Sequence, residues 1–275
     1  MNKLKGLITI LVTILFIIVI RTIILNIYKK IFLSKLYIEG FRLSVIILNY
    51  NRPQNIPKIV KQLKKFKIID DIIISHGKKE TEILINDPII TNDTKLRNKY
   101  FSATRFELSN EAKNDYILFI DDDLYPHEYL LSDIMKNVKN DGFKNNKNLY
   151  GPVKRLCNDK YIHNEGQSKD ESHRTNLFKY NIVLTKLAVV NKYTAIKVWD
   201  EIKKTKYINI IMENKGNGED IIFATFINLL GGKNVYVAGK YFDLDYNNGY
   251  SSMDEHYRCR DKLCMEINND NTLLF

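Results

Sequence analysis

Apolar residues occur along this chain in short runs bounded by polar turn residues, and the runs predict alternating strands and helices. Residues 43–48 and 71–75 are β-branched runs that predict strands. Between them, residues 56–66 carry apolar side chains at helical spacing. A strand, a helix and a strand in succession predict a βαβ unit and hence a parallel sheet.

The rest of the chain continues this alternation at lower clarity. A short strand is predicted at 88–90, followed by a polar loop and a helical segment that ends near residue 113. Further strands and helices are predicted at 116–120, 126–138, 181–185, 193–204 and 219–230. The tail, residues 251–264, has no hydrophobic period. We therefore expect one α/β domain from about residue 42 onward.

The first 28 residues differ from all that follow because they are almost continuously apolar. This run is long enough to cross a hydrocarbon core of about 30 Å as a helix, and Arg21 lies toward one end, where it can snorkel. No small-residue cleavage site follows it, which favours an anchor over a cleaved signal peptide. The expected organisation is an anchor at 1–28, a short basic linker at 29–41 and one α/β domain at 42–275.

Composition narrows the function classes only modestly. The chain has 275 residues and a formal net charge of +10, contributed mostly by scattered lysines. Such a charge fits an anionic ligand or a membrane surface, and no motif supports nucleic-acid binding. Three cysteines, Cys157, Cys259 and Cys264, exclude a disulfide scaffold and show no zinc spacing.

Three adjacent carboxylates, Asp121 to Asp123, follow the apolar run at 116–120 without a spacer. In an extended chain Asp121 and Asp123 share one side, roughly 7 Å apart, while Asp122 points to the other. Hard carboxylate oxygens suit Mg²⁺ or Mn²⁺. The same triplet also fits a solvated acidic turn or a helix N-cap. The neighbouring sequence has to distinguish a metal site from these structural alternatives.

Other polar groups also follow directly on predicted strands. Asn51-Arg52 and His76-Gly77 do so, and ligands of open α/β sheets bind at the carboxyl ends of strands. Glu219 and Asp220 begin an apolar helix, where carboxylates suit the helix dipole. These two acids would then do no more than stabilise the start of the helix. Alternatively, one of them is a functional carboxylate that faces a pocket.

With these segments in place, the chain resembles the family-64 glycosyltransferases, the C-terminal domains of exostosins and exostosin-like enzymes. The resemblance covers most of residues 43–264 and rests on six segments in order: Leu-Asn-Tyr-Asn-Arg at 48–52, Leu-Arg-Asn-Lys-Tyr-Phe at 96–101, Ile-Asp-Asp-Asp at 120–123, Val-Leu-Thr at 183–185, Asn-Gly-Glu-Asp-Ile at 217–221, and His256 with Arg260 and Cys264.

The resemblance implies an α/β fold of the GT-A type, with a Rossmann-like nucleotide half and an acceptor half. It implies retaining transfer from a UDP-sugar, such as a UDP-N-acetylhexosamine, to a glycan, glycolipid or glycoprotein. Mn²⁺ or Mg²⁺ would bridge protein and diphosphate, with Asp123 as the main ligand beside Asp121. Asp121 and Asp122 would hold ribose and sugar hydroxyls.

The same pattern implies roles for five further residues. Arg52, Asn98 and Lys99 would line the nucleotide site. Asp220 would be the carboxylate nearest the anomeric centre, and Arg260 would face the diphosphate. A leaving diphosphate gathers negative charge that a cation and an arginine can stabilise, and a carboxylate can stabilise an oxocarbenium-like centre.

Three positions depart from the family's pattern. Lys99 replaces an arginine, Lys186 a glycine, and Gly218 a cysteine that would bridge to a residue like Cys264. Without that cysteine, either Cys259 and Cys264 form a disulfide or the thiols stay reduced. The alternatives are an inverting family-2-like enzyme that uses a carboxylate as base, a non-catalytic sugar- or nucleotide-binding domain, and an acidic Ca²⁺-binding turn.

Location follows from the anchor and the resemblance. The resemblance implies a single-pass type II protein of the endoplasmic reticulum or Golgi, with a luminal domain. The lysines and arginine after the apolar run outnumber the two lysines before it, and this count favours a cytosolic domain. Loss of the family's usual cysteine also weakens the argument for an oxidising lumen.

Overall fold

The computed structural model describes residues 2–96, 99–162, 180–244 and 254–270. Its helices are α1 Asn2–Ile38, α2 Ile56–Leu63, α3 Thr104–Glu107, α4 Glu128–Asn140, α5 Lys192–Lys203, α6 Tyr207–Glu213, α7 Glu219–Leu229 and α8 Asp254–Asn269. Its strands are β1 Leu43–Asn49, β2 Ile69–His76, β3 Ile90–Asp93, β4 Tyr116–Asp121, β5 Leu124–Pro126, β6 Leu149–Gly151, β7 Lys154–Cys157, β8 Tyr161–Ile162, β9 Ile182–Val183, β10 Leu187–Asn191, β11 Asn234–Tyr236 and β12 Tyr241–Asp243.

Seven strands form the central sheet, in the order β11-β6-β10-β4-β1-β2-β3. β1 pairs in parallel with β2 and β4, and β2 pairs in parallel with β3. The predicted βαβ unit and parallel sheet are therefore confirmed. β10 runs antiparallel to β4 and β6, so the sheet is mixed beyond β4.

Strand β4 shows why the sheet forms where it does. Its apolar run is fully buried, and alternate side chains enter opposite cores. Ile117 and Phe119 join the core that includes α5 and α7, whereas Leu118 and Ile120 join the core that includes α2 and α4. A strand covered on both faces reads as a continuous apolar run.

Helix α1 has two different halves. Its first part, which includes Leu15 and Phe16, presents its apolar side chains to the outside, and Ile8–Tyr37 is long and apolar enough to cross a membrane. Its last turns pack into the domain, where Leu36 is 1% exposed. The basic segment expected as a linker at 29–41 thus lies mostly inside this helix.

Two features of the second half differ from the expectations. From residue 254 the tail without a hydrophobic period forms α8, in which Leu263 and Cys264 join the core and Arg260 is buried as well. Because α8 buries so few apolar side chains, its sequence shows no repeating pattern of apolar residues at helical spacing. The second difference is strand β10, Leu187–Asn191, which the sequence did not predict. The strand expected at 181–185 is observed as the shorter β9.

Candidate functional site

The carboxylate of Asp122 organises the loop that follows β1. Its Oδ2 accepts the backbone N–H groups of Tyr50, Asn51 and Arg52 at 2.9, 2.8 and 3.0 Å. Its Oδ1 accepts Arg52 Nη1 at 2.9 Å. These bonds join two of the segments expected to converge. The alternation expected for an extended triplet is not what the contacts show, because β4 ends at Asp121, and Asp122 and Asp123 both lie beside Arg52 Nη1.

Asp121 belongs to a different network, centred on Arg105. The Arg105 side chain is 2% exposed, and its Nη1 donates to Asp121 Oδ1 at 2.6 Å. Its Nη2 donates to Glu219 Oε1 at 3.1 Å. One buried guanidinium thus joins the carboxyl end of β4 to the first residue of α7.

Asp220 forms the neighbouring ion pair with Arg260 of α8. The Asp220 carboxylate accepts from Arg260 Nη2 at 3.0 Å, and both side chains are buried. Arg260 also donates to Asn217 and to the Tyr161 hydroxyl, each at 3.2 Å. The predicted catalytic pair is therefore adjacent, and Arg260 is held by protein groups on several sides.

The two acids that begin α7 have opposite electrostatic surroundings. Burial and the neighbouring charge of Asp220 raise the pKa of Glu219 to about 7, against the opposing effect of Arg105. Burial also acts on Asp220, but the Arg260 charge and its hydrogen bonds prevail and hold the pKa of that carboxyl below its usual range. Near neutral pH Asp220 is ionised and Glu219 can take up a proton.

A divalent cation fits beside Asp123. Burial raises the pKa of Asp123 to about 6, and its buried Oδ1 has no hydrogen-bond partner. Its other oxygen lies 3.5 Å from Arg52 Nη1. Within the ranges given above, no group of three or more His, Cys, Asp or Glu side chains is arranged around one metal position. Two carboxylates are nevertheless enough for Mg²⁺ or Mn²⁺, which completes its shell with water and substrate phosphates.

The two lysines that depart from the family-64 pattern lie in different positions. The Lys186 charge lowers the pKa of Asp123, so its ammonium group lies near this carboxylate. Its Nζ also lies 5.6 Å from the centre of the Tyr241 ring. Lys99 is exposed and packs over Tyr100. Asn98 lies outside the described residues.

Sequence reasoning missed Arg105 and underrated Glu219. Arg105 lies outside every motif segment, and its contact with Glu219 joins residues more than a hundred positions apart. Glu219 had a visible signal, an acid at the start of an apolar helix. Only the ion pairs distinguish it from Asp220.

The cysteine pairing also differs from the expectation. Cys157 of β7 is bonded to Cys264, and Cys259 is free. Cys259 and Cys264 lie five residues apart on one helix, a rise of about 7.5 Å, which is too far for a disulfide. The backbone explains why residue 218 is a glycine. Its φ is 93°, and a Cβ there would lie 2.6 Å from the Leu263 side chain.

The chain matches one protein-family profile. The profile described as "Glycosyl transferase family 2" matches residues 44–181. No curated protein matches the chain at a significant level. The matched segment includes β1 to β7 and the aspartate triplet.

Solved structures show distant likeness. IspD, the 2-C-methyl-D-erythritol 4-phosphate cytidylyltransferase of Francisella tularensis, is 12% identical over 75% of this chain and 95% of its own, with a TM-score of 0.45. TarS of S. aureus is 13% identical over 84% of this chain and 40% of its own, with a TM-score of 0.49. The 4-diphosphocytidyl-2C-methyl-D-erythritolsynthase of Anaerococcus prevotii DSM 20548 is 13% identical over 82% and 98%, with a TM-score of 0.43. Likeness at this distance says nothing of function.

The family match confirms the predicted α/β fold of the GT-A type and overturns the assignment to family 64. Of the six segments that suggested exostosins, three end strands and one begins a helix, so these specify the architecture of the site more than the family. Lys99, Lys186 and Gly218 depart from the family-64 pattern at three of those places. The chain is a glycosyltransferase that belongs to glycosyl transferase family 2.

Proposed function

We propose that this protein is a metal-assisted, inverting glycosyltransferase anchored in a membrane by α1. Its donor is a UDP-sugar, such as a UDP-N-acetylhexosamine. The observation that carries the proposal is the bridge through Arg105, which brings Asp121 of the triplet and the acidic pair of α7 into one site.

Asp121 and Asp123 are the residues that would hold Mn²⁺ or Mg²⁺. The bound cation would neutralise the diphosphate as it leaves. Arg52 and Lys186, both next to Asp123, supply further positive charge on the same side. Asp122 stays with the β1 loop, and its part is to hold Arg52 in place rather than to contact sugar hydroxyls.

The acids of α7 divide the remaining work. Glu219 has one oxygen on Arg105 and a pKa near neutrality, which suits a general base that takes the proton of the acceptor hydroxyl. Asp220 stays ionised beside Arg260 and stabilises positive charge at the anomeric carbon. Neighbouring acids whose pKa values are driven apart are a general mark of such a division.

Inversion replaces retention as the proposed outcome. Retention was implied by the family-64 resemblance, which is wrong, and a base aimed at the acceptor belongs to the inverting alternative. The luminal Golgi location had the same source and loses that support. The flanking charges of α1 favour a cytosolic domain, whereas the Cys157–Cys264 disulfide is typical of oxidising compartments.

The test uses the full chain in detergent with a panel of nucleotide sugars. Nucleotide release and product are followed with Mn²⁺ or EDTA, and the anomeric configuration of the product is read by NMR. An α-linked donor should give a β-linked product in a reaction that EDTA stops.

One variant tests the proposed base. Glu219→Gln should lower kcat by at least 100-fold with little change in KM for the donor, since one general base contributes about 10²–10⁴-fold. A product of retained configuration would refute the base mechanism. No nucleotide release from any donor would favour the non-catalytic binding domain.

A further inference from the structure

We propose that the catalytic crevice faces the membrane and that the acceptor is a sugar carried on a membrane lipid. This inference rests on the proposed function and on α1 as the membrane span. It concerns the source of the acceptor, and it follows from the path of the chain between the apolar helix and the site.

On this placement the chain leaves the membrane along α1 and makes a short turn before β1. α1 continues to Ile38, residues 39–42 form the turn, and β1 starts at Leu43. From Ile38 back to Lys29 the helix spans about 14 Å, whereas β1 spans about 20 Å from Leu43 to Asn49. If the strand returns alongside the helix, its carboxyl end lies at or beyond the level of Lys29, the first residue after the apolar stretch.

Contacts between α1 and α4 establish this direction independently. Lys30 pairs with Glu128 at the start of α4, and Lys139 near its end pairs with Glu39 just after α1. Lys29 also pairs with Asp133 at 2.5 Å. The two helices therefore run side by side in the same direction, and the start of α4 lies at the membrane end.

The start of α4 carries an aromatic surface suited to a membrane interface. We call it the aromatic platform: Tyr125, His127, Tyr129, Lys240 and Phe242. The Tyr125 and Phe242 rings stack at 4.9 Å, His127 lies 4.3 Å from Tyr129, and Lys240 lies over Phe242. These side chains are half-buried apart from the exposed Lys240. Tyrosine and lysine at the headgroup level are typical of membrane interfaces.

The aromatic platform is joined directly to the site. β5 follows the aspartate triplet and pairs with β12, and Leu244 N donates to Asp123 O at 2.7 Å. Along β12 the side chains alternate, so Phe242 lies in the platform while Tyr241 lies near Lys186. Glu128 follows Asp123 by five positions, which limits their Cα distance to about 18 Å.

This arrangement selects the acceptor class. A crevice that opens at headgroup level is close to sugars on lipids and turned away from glycans in free solution. Ion pairs join α1 to α4, and Leu36 near the end of α1 is buried, so α1 and the domain pack together at this end. A lipid-carried acceptor therefore meets the site by diffusion within the membrane.

The placement is tested by fluorescence quenching in the full chain, reconstituted in phosphatidylcholine vesicles with headgroup spin-labelled lipid. Phe242→Trp puts a reporter in the platform, and Tyr193→Trp puts one on α5, at an exposed position on the opposite face of the sheet. The buried Trp199 gives the same background in both. Quenching of the platform reporter should be at least threefold stronger; equal quenching of the two reporters would overturn the placement. Thermal unfolding checks that each variant is folded.

The acceptor class is tested by label transfer from a radioactive nucleotide sugar. The full chain is incubated with vesicles made from membranes of the organism that produces it, and products are partitioned between organic and aqueous phases. Label in the organic phase supports the inference. Label only in water-soluble glycan or protein overturns it, as does no transfer while nucleotide release continues. If nucleotide release is also absent with every donor, the proposed function fails and the acceptor inference falls with it, while the quenching result still decides the placement.

Discussion

Replacing Glu219 by glutamine should make the stability of the folded chain less sensitive to pH. The carboxyl is buried, and its pKa lies at about 7 in the folded chain against an ordinary value of 4.5. A carboxyl whose folded pKa is raised stabilises the fold below the unfolded pKa and loses that contribution as pH rises through the folded value. Glutamine has no proton to lose, so this loss disappears.

The magnitude follows from the two pKa values. Their difference corresponds to about 3 kcal/mol of unfolding free energy lost between about pH 4.5 and 7. The stability of Glu219→Gln relative to the natural chain should therefore rise by about that amount across this window. The same group should give the lower limb of the kcat/KM profile, near pH 7, and the variant should lose that limb.

The assay is urea unfolding of the detergent-solubilised full chain at half-unit pH steps, in EDTA. Asp220→Asn is measured beside it: the lowered pKa of Asp220 affects stability only below about pH 3.8, outside this window, and loss of its charge should lower the pKa of Glu219 and so reduce the pH dependence as well. A relative stability of Glu219→Gln that stays flat from pH 4.5 to 7 would refute the raised pKa. A rate profile that keeps its lower limb in this variant would refute the base role.

Three further predictions concern other parts of the site. Burial raises the pKa of Asp123 to about 6, so Mn²⁺ affinity, measured by calorimetry, should fall roughly tenfold per pH unit below about 6, and Asp123→Asn should remove that dependence. Asp122→Asn weakens charge-assisted bonds to three N–H groups and to Arg52, so it should cost about 3 kcal/mol in urea unfolding; an unchanged midpoint would contradict the anchoring role. Cys157→Ser opens a loop of 107 residues and should cost about 2–4 kcal/mol under oxidising conditions, with no difference once the natural chain is reduced.

The first half of the fold was predictable from local patterns. The runs at 43–48, 71–75 and 116–120 are buried on both faces of the sheet, and such strands carry an unbroken apolar signal. The helix predicted at 219–230 is observed as α7 for a similar reason, since it is apolar on almost every side. Strong local burial leaves a strong local pattern.

The parts that failed depend on distant contacts. The position of α8 depends on Leu263, Cys264 and the Arg260–Asp220 pair, and none of these gives a periodic stripe. Arg105 gains its role only when β4 and α7 come together. The extended geometry expected for the triplet fails because β4 ends at Asp121, and the pairing of Asp122 and Asp123 with Arg52 depends on the β1 loop, which three identical letters do not reveal.

The unbroken helix from Asn2 to Ile38 also bears on how large a product this protein can extend. A domain on a flexible stem can follow the end of a growing chain away from the bilayer. If α1 spans the membrane as proposed, the catalytic centre would keep one height above the lipid, because the last turns of α1 pack into the domain, where Leu36 is buried. Each transfer moves the new terminus outward, beyond a centre that does not move with it. On the proposed placement, a lipid-carried acceptor would receive its first sugars here, and longer extension would need enzymes that work farther from the bilayer.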